Sequence, residues 1–184
     1  MEPERYLNPH INNHPSNRCD RLMKRNANSI LNAELSHAIA SLGHTDILMV
    51  VDAGYPIPEN TWRIDLALTR GTPGQFEVLK AIHNELIPED IMYAEAVSEK
   101  NPGMEERLQE LYQGTGAGLS TIPHENVLEY GSRSKVIVRT GAFAPWGNVI
   151  IKCGTDPKVY FDSDDVTMPE EYQHRYEEMY GDPP

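Results

Sequence analysis

The chain of 184 residues has few cysteines, few positive charges and no long apolar run. Its two cysteines, Cys19 and Cys153, lie far apart and do not suggest a disulfide framework. Lysine and arginine number 16 against 28 aspartates and glutamates, and the net charge of -12 argues against nucleic acid or an anionic membrane as a partner. No stretch approaches the roughly 20 apolar residues of a membrane span.

Motifs for export, cofactors and metals are missing too. The first 20 residues are too polar for a signal peptide, so we expect a cytoplasmic protein. The chain has no glycine-rich phosphate loop, no Gly-x-Ser-x-Gly motif and no Cys-x-x-Cys pair. His10, His14 and Cys19 superficially resemble metal ligands in their spacing, but no second ligand pair follows them. We expect neither a metal nor a cofactor.

Composition divides the chain into three segments. Residues 1–27 carry scattered proline and asparagine without periodicity, which predicts an extended N-terminal arm. Over 28–155, helical patterns alternate with short apolar runs, which favours one layered α/β domain. Residues 156–184 carry nine carboxylates against two basic side chains, more than half of the net charge. They predict an acidic C-terminal extension.

Aromatic residues in this extension follow helical spacing. Tyr172, Tyr176, Met179 and Tyr180 lie on one face of a short predicted helix, and glutamates occupy the other face. Such a stripe predicts a helix that docks on a surface, and we interpret it as an interface element rather than as part of a site.

His44 and Asp52 flank the short apolar run Ile47–Val51, a predicted buried strand. Catalytic and ligand-binding groups of α/β proteins cluster at the ends of strands and in the adjoining loops. A strand of this length spans about 17 Å, so the two side chains do not touch within one straight strand. A bend or a second subunit is needed to join them, and a purely structural role for His44 stays open.

Two further segments contain candidate polar groups. His124 lies between a predicted strand and a predicted helix, where it is either a site residue or an ordinary loop residue. Trp146, Gly147 and Asn148 form a predicted tight turn before the last strand. The amide of Asn148 either binds a hydroxyl group of a ligand or caps the turn.

A series of short segments occurs in a fixed order along the chain. They are Gly43-His44-Thr45-Asp46, Val51-Asp52-Ala53-Gly54-Tyr55-Pro56-Ile57-Pro58, Arg63-Ile64-Asp65-Leu66-Ala67-Leu68-Thr69, Gly71-x-Pro73, Ala94-Glu95, Asn101-Pro102, His124-Glu125, Arg139-Thr140-Gly141 and Pro145-Trp146-Gly147-Asn148-Val149-Ile150-Ile151-Lys152-Cys153-Gly154. This ordered set resembles the D-ribose pyranase / L-fucose mutarotase (RbsD/FucU) family, and its ribose-pyranase branch in particular. The resemblance covers about residues 28–155, the predicted catalytic domain.

The resemblance implies a fold, an assembly and an activity. The fold is a three-layer α/β/α sandwich with a mixed, mostly parallel sheet. The assembly is a ring-shaped homo-oligomer, a decamer or an octamer, with sites near subunit contacts, which would resolve the separation of His44 from Asp52. The activity is the interconversion of cyclic forms of a free monosaccharide, either anomers or pyranose and furanose, without metal or cofactor.

The resemblance also assigns roles. His44 matches the proton donor, and a neutral-range imidazole suits acid–base ring opening because its unperturbed pKa is about 6.5. Asp52 matches a sugar-binding position, and a nearby carboxylate, Asp52 or Asp46, is expected either to orient the imidazole or to hold sugar hydroxyls. The remaining sugar-binding positions are His124, Trp146, Gly147 and Asn148.

Trp146 and the two extensions depart from the family pattern, in which a tyrosine usually precedes the last strand. An indole offers a stacking face but no hydroxyl acceptor. Two alternatives therefore remain: an isomerase or lyase of the same fold that acts on a modified sugar, and a sugar-binding module without turnover.

Overall fold

The structure is a computed structural model that describes residues 29–163 and 165–181. The predicted N-terminal arm and the histidines and cysteine with metal-like spacing lie outside these residues. None of the helices in the described ranges is both long enough and apolar enough to cross a membrane.

Strands and helices alternate along the chain, as the sequence predicts. The strands are β1 Ile47–Val51, β2 Trp62–Asp65, β3 Pro88–Ala94, β4 Gly118–Ile122, β5 Val136–Arg139 and β6 Val149–Cys153. The helices are α1 Ala33–Ser41, α2 Gln75–His83, α3 Ala96–Lys100, α4 Pro102–Tyr112, α5 His124–Arg133, α6 Pro157–Tyr160 and α7 Glu170–Tyr180.

The six strands of the described residues join one mixed sheet in the order β2-β5-β1-β6-β3-β4. β6 runs antiparallel to both of its neighbours, β1 and β3, and the other pairs are parallel. This confirms the mixed, mostly parallel sheet. The carboxyl ends of the five parallel strands and the start of β6 therefore share one edge, the carboxyl edge. The starts of the parallel strands and the end of β6 form the opposite edge, the amino edge.

Burial in the central strands shows that helices cover both faces of the sheet. Leu48, Met49, Val50 and Val51 follow one another in β1 and are all 0% exposed. Because successive side chains of a strand point to opposite faces, an unbroken buried run requires a covering layer on each side. This is the expected three-layer α/β/α arrangement.

Side-chain caps mark the starts of α1 and α6. Asn32 begins α1 because its side-chain oxygen accepts a hydrogen bond from the Leu35 N–H (2.9 Å), which satisfies a free donor of the first turn. Two predicted boundaries were wrong. The alternating pattern of residues 63–68 predicts a strand over those residues, but β2 ends at Asp65. The pattern of residues 91–97 predicts a strand there, but β3 lies three residues earlier and is followed by α3.

The acidic extension folds back onto the core. Its two helices, α6 and α7, contact each other, and Arg175 and Tyr176 of α7 are buried. Of the tyrosine stripe, Tyr172 and Met179 are partly buried and Tyr180 is 44% exposed, while the glutamates of the same helix are exposed. The sequence pattern predicts Pro169 as the first residue of α7, because proline suits that position, but Pro169 is its N-cap residue.

Candidate functional site

His44 projects from a tight turn at the amino edge, immediately before β1. Thr45 takes a left-handed conformation (φ 68°), and the Asp46 carboxylate closes the turn by accepting a hydrogen bond from the Gly43 N–H (2.7 Å). The end of the neighbouring strand β6 holds the turn in place, because the Thr45 N–H donates a hydrogen bond to the Cys153 carbonyl (2.9 Å). The turn thus holds the imidazole at the surface, where the side chain is 38% exposed.

Glu89 is the carboxylate that binds this imidazole. Its Oε2 lies 2.6 Å from His44 Nε2, and its Oε1 accepts a hydrogen bond from Lys152 Nζ at 2.5 Å. Partial burial acts to raise the pKa of Glu89, but the hydrogen bonds from Lys152 and His44 outweigh it and hold that pKa below its ordinary value. Glu89 is therefore ionised at neutral pH and accepts hydrogen bonds only. We call His44, Glu89 and Lys152 the histidine cluster.

Neither of the carboxylates expected to orient His44 contacts it within the subunit. The Asp46 carboxylate accepts a hydrogen bond from Lys135 Nζ (2.7 Å), and this bond is the main reason why the pKa of Asp46 lies below its ordinary value. Asp52 follows the far end of β1, and its Oδ1 accepts a hydrogen bond from the Gly54 N–H (2.8 Å). The expectation for Asp46 is therefore corrected: its carboxylate fixes the turn and leaves the imidazole to Glu89.

Asp52 meets Asn148 at the carboxyl edge. The Asp52 N–H donates to Asn148 Oδ1 (3.1 Å), and Asn148 is buried with 8% of its surface exposed. The side-chain amide of Gln75 approaches the same place, since its Nε2 donates to the carbonyl oxygens of Gly147 and Val50. Two of these residues, Asp52 and Asn148, are predicted site residues, and with Gln75 they form what we call the asparagine cluster.

The turn before β6 is sterically tight. Trp146 takes a left-handed conformation (φ 58°), and a β-carbon at Gly147 would lie 2.5 Å from the Ala144 β-carbon. Glycine is therefore required at position 147, where the chain passes close to Ala144. The indole of Trp146 is partly buried, and Lys100 Nζ lies 5.3 Å from its ring centre.

His124 lies on the same edge but apart from the asparagine cluster. It is exposed and is the first residue of α5, directly after β4. β4 is two strands away from β6, which corresponds to about 10 Å at the usual strand spacing. Within one subunit, the structure therefore unites Asp52, Gly147 and Asn148, leaves His124 at a distance, and places His44 on the opposite edge.

Sequence reasoning missed Glu89 and Gln75. Glu89 lies at the start of β3, in a segment with no motif, and it reaches His44 only because β6 joins β1 to β3 with the starts of both strands at the same edge. Gln75 is the first residue of α2, and its role depends on the approach of the Gly147 turn. In the described ranges, no group of three or more His, Cys, Asp or Glu residues is arranged to hold a metal ion.

The family model and the curated proteins similar to this chain point to the same family. The model described as the RbsD / FucU transport protein family matches residues 23–156. D-ribose pyranase 1 of Streptomyces griseus is 47% identical over 151 residues, which cover 82% of this chain and 97% of the relative. D-ribose pyranase 2 of Rubrobacter xylanophilus is 41% identical over 154 residues, which cover 83% and 97%.

Solved structures of proteins with related names have a similar fold. Bacillus subtilis RbsD complexed with D-ribose superposes with a TM-score of 0.65 at 30% identity, over 69% of this chain and 95% of that chain. The fucose mutarotase of Streptococcus pneumoniae in complex with L-fucose has a TM-score of 0.56 at 24% identity, over 67% and 92%, and shares the fold.

Proposed function

Because the chain belongs to the RbsD/FucU family, we propose that it is a sugar isomerase of the D-ribose pyranase type, which interconverts the pyranose and furanose forms of free D-ribose. The observation that carries this proposal is the pair formed by His44 and an ionised Glu89, 2.6 Å apart, at an exposed turn. The 47% identity to a D-ribose pyranase over 97% of that relative favours D-ribose as the sugar.

Ring opening needs one acid and one base. The acid gives a proton to the ring oxygen, the base takes the proton of the hydroxyl on C1, and the bond between C1 and the ring oxygen breaks to give the open-chain aldehyde. Attack of another hydroxyl on C1, with the proton transfers reversed, closes the other ring form. Positioned acid–base groups contribute roughly 10²–10⁴-fold each, which is sufficient for a reaction that proceeds unaided in water.

The Glu89 carboxylate determines which nitrogen of the His44 imidazole carries the hydrogen. Since Glu89 accepts hydrogen bonds only, Nε2 of His44 carries the hydrogen between them, and Nδ1 remains for the sugar. Nδ1 takes up a proton when the ring is neutral and releases one when it is charged. In the part of the chain that the structure describes, Nδ1 has no hydrogen-bond partner.

The asparagine cluster supplies groups that hold a sugar. Asp52 offers carboxylate oxygens, the amide nitrogen of Asn148 is a donor, and the indole of Trp146 offers a flat apolar face next to the turn. Since this cluster and the histidine cluster lie on opposite edges of the sheet, we propose that one complete site takes them from two subunits of a homo-oligomeric ring, a decamer or an octamer, in the cytoplasm. His124 joins the sugar site in this assembly.

Nuclear magnetic resonance exchange spectroscopy of D-ribose tests the activity. We expect the protein to accelerate exchange between pyranose and furanose signals, and His44→Ala to slow the catalysed rate by about 100-fold or more. His174→Ala is the matched control, because His174 is an exposed residue of α7 that pairs with Glu178 on the same helix. D-ribose that binds without faster exchange would contradict the proposal and favour a binding module.

Mixed oligomers test the shared site. In a random equal mixture of His44→Ala and Asp52→Asn subunits, each inactive alone, about one quarter of the sites receive both native residues. Co-expressed subunits should therefore regain about one quarter of the wild-type rate. A mixture as inactive as its components would show that the two residues do not meet across a subunit contact.

A further inference from the structure

We propose that the C-terminal extension is part of the acid–base site, in which α7 supplies Tyr172 as a positioning residue for His44. The Tyr172 hydroxyl lies 3.3 Å from His44 Nε2. Tyr172 lies outside residues 23–156, the segment that the family model matches. The inference rests on the proposed function and assigns to the extension a role at the reacting imidazole.

Tyr172 and Glu89 approach the same ring nitrogen. The hydrogen on Nε2 points to the Glu89 carboxylate at 2.6 Å, and the Tyr172 hydroxyl oxygen is a second, more distant acceptor. Two groups that hold one nitrogen restrict the rotation of the imidazole about its side-chain bonds. The ring is thereby fixed with Nδ1 free, which is the orientation that proton exchange with a sugar requires.

A buried arginine attaches α7 beside the histidine cluster. Arg175 is 9% exposed, and its Nη2 donates a hydrogen bond to the Pro88 carbonyl (3.0 Å). Its Nη1 lies 3.5 Å from Glu89 Oε2, the carboxylate oxygen that also contacts His44. Since one carboxylate contacts both the imidazole and the arginine of α7, the docking of the helix and the placement of His44 are coupled.

Two glycines of the core leave room for this helix. A β-carbon at Gly154 would lie 2.9 Å from Arg175 Nη2, and one at Gly116 would lie 2.9 Å from the Arg175 carbonyl oxygen. The ring of Tyr172 also packs against Phe161, with ring centres 5.1 Å apart. The position of the Tyr172 hydroxyl is therefore set by close packing on both sides of the helix.

Removal of one hydroxyl tests the role of Tyr172. Tyr172→Phe keeps the ring packing and deletes only the group that faces His44. The matched control is Tyr180→Phe, since Tyr180 lies on the same helix and its hydroxyl bonds to Asp156 (2.8 Å) instead. We expect Tyr172→Phe to lower kcat for D-ribose by about 3- to 10-fold with KM unchanged, because the loss of one hydrogen bond lets the imidazole leave its reactive orientation and removes no contact to the sugar. Tyr180→Phe should leave both constants at wild-type values.

A second measurement does not depend on turnover. In protein labelled with ¹⁵N-histidine, the His44 ring resonances should shift in Tyr172→Phe and stay unchanged in Tyr180→Phe. Unchanged kcat and unchanged resonances in Tyr172→Phe would overturn the inference, and so would equal losses in both variants, which would indicate a general effect on the extension. If the wild-type protein fails to accelerate D-ribose exchange, the proposed function is wrong, while the ¹⁵N comparison still decides whether Tyr172 holds His44.

Discussion

Lys152 donates a hydrogen bond to the carboxylate of Glu89 across 2.5 Å, and the same carboxylate holds the imidazole of His44. The three residues come from the end of β6, the start of β3 and the turn before β1. The end of β6, the start of β3 and this turn all lie at the amino edge of the sheet. Glu89 thus links the structural integrity of this edge to the orientation of the imidazole, and both should respond to its protonation.

Stability should fall in acid because of Glu89. Its pKa is lowered by folding, so its ionised form stabilises the native state above the ordinary value of 4.5, and this stabilisation is lost as the pH falls through the lower native value. We expect Glu89→Gln to cost about 1–3 kcal/mol of unfolding free energy at pH 7, the value of hydrogen bonds to a charged group. The cost should shrink at pH 3, as measured by urea unfolding.

Glu178→Gln is the control for this measurement. Glu178 is 45% exposed and pairs with an exposed histidine of the same helix, so its replacement should change the unfolding free energy little at either pH. A Glu89→Gln variant with the same cost at pH 3 as at pH 7 would rule out an ionised Glu89 as the source of the stabilisation.

Cys153 should be unreactive in the folded protein. Burial, followed by the nearby Asp46 carboxylate, raises the pKa of its thiol to about 12, and only 2% of the residue is exposed. In a Cys19→Ser background, which leaves one thiol, iodoacetamide should modify the native protein at pH 8 more than about 100-fold more slowly than the unfolded protein. Equal rates would mean that the end of β6 opens readily.

Shortening the chain after Thr155 should preserve the fold and impair the site. In the described residues, the main hydrophobic core includes no side chain beyond Ile151, so the sheet and its covering helices keep their packing. The exchange rate of D-ribose should fall at least about 3-fold, because Tyr172 and Arg175 are lost with the extension. The assembly size, measured by light scattering, should stay unchanged.

A chain shortened only by residues 182–184 is the control for this truncation, because it retains α7. If the longer truncation exchanges D-ribose as fast as the control, the extension has no role in the reaction. If the truncated protein aggregates, the extension belongs to the folding unit rather than to the site.

Tyr55 and Gly131 should be energetically coupled. The Tyr55 hydroxyl is buried and donates to the Val127 carbonyl (3.0 Å), and a β-carbon at Gly131 would overlap the hydroxyl oxygen. Gly131→Ala should therefore destabilise the wild-type protein by about 1–3 kcal/mol. In a Tyr55→Phe background the same change should cost about 1 kcal/mol less, because the hydroxyl is absent. Additive effects in a double-mutant cycle would show that the contact carries no energy.

The helices and strands could largely be predicted from the sequence because their signals are local, whereas the three-layer fold is implied by the family resemblance. The run Ile47–Val51 is apolar and β-branched, Asn32 caps a helix, and the spacing of the tyrosines in the extension identifies α7. The predicted boundary was wrong where a strand and a helix follow each other without a turn signal. β3 ends at Ala94 and α3 begins at Ala96, and no glycine or proline marks the change from strand to helix.

The site could be predicted only in part, because its contacts depend on which strands become neighbours. Spacing alone shows that His44 and Asp52 are too far apart to touch within one strand, and the structure places them on opposite edges. Glu89 lies 45 positions from His44 in the sequence, and Tyr172 lies 128 positions from it. Such pairs are created by the antiparallel insertion of β6 and by the docking of α7, and no local pattern encodes either.

Because β1 separates the histidine cluster from the asparagine cluster, the rate of D-ribose exchange should depend on whether subunits are assembled, and therefore on protein concentration. On the proposed assembly, an isolated subunit contains every reacting residue and yet no complete site. When the protein is diluted below the dissociation constant of the subunit contact, the rate should fall faster than in proportion to concentration, approaching the square of it for a two-subunit contact. Enzymes whose sites lie within one subunit keep a constant specific activity on dilution.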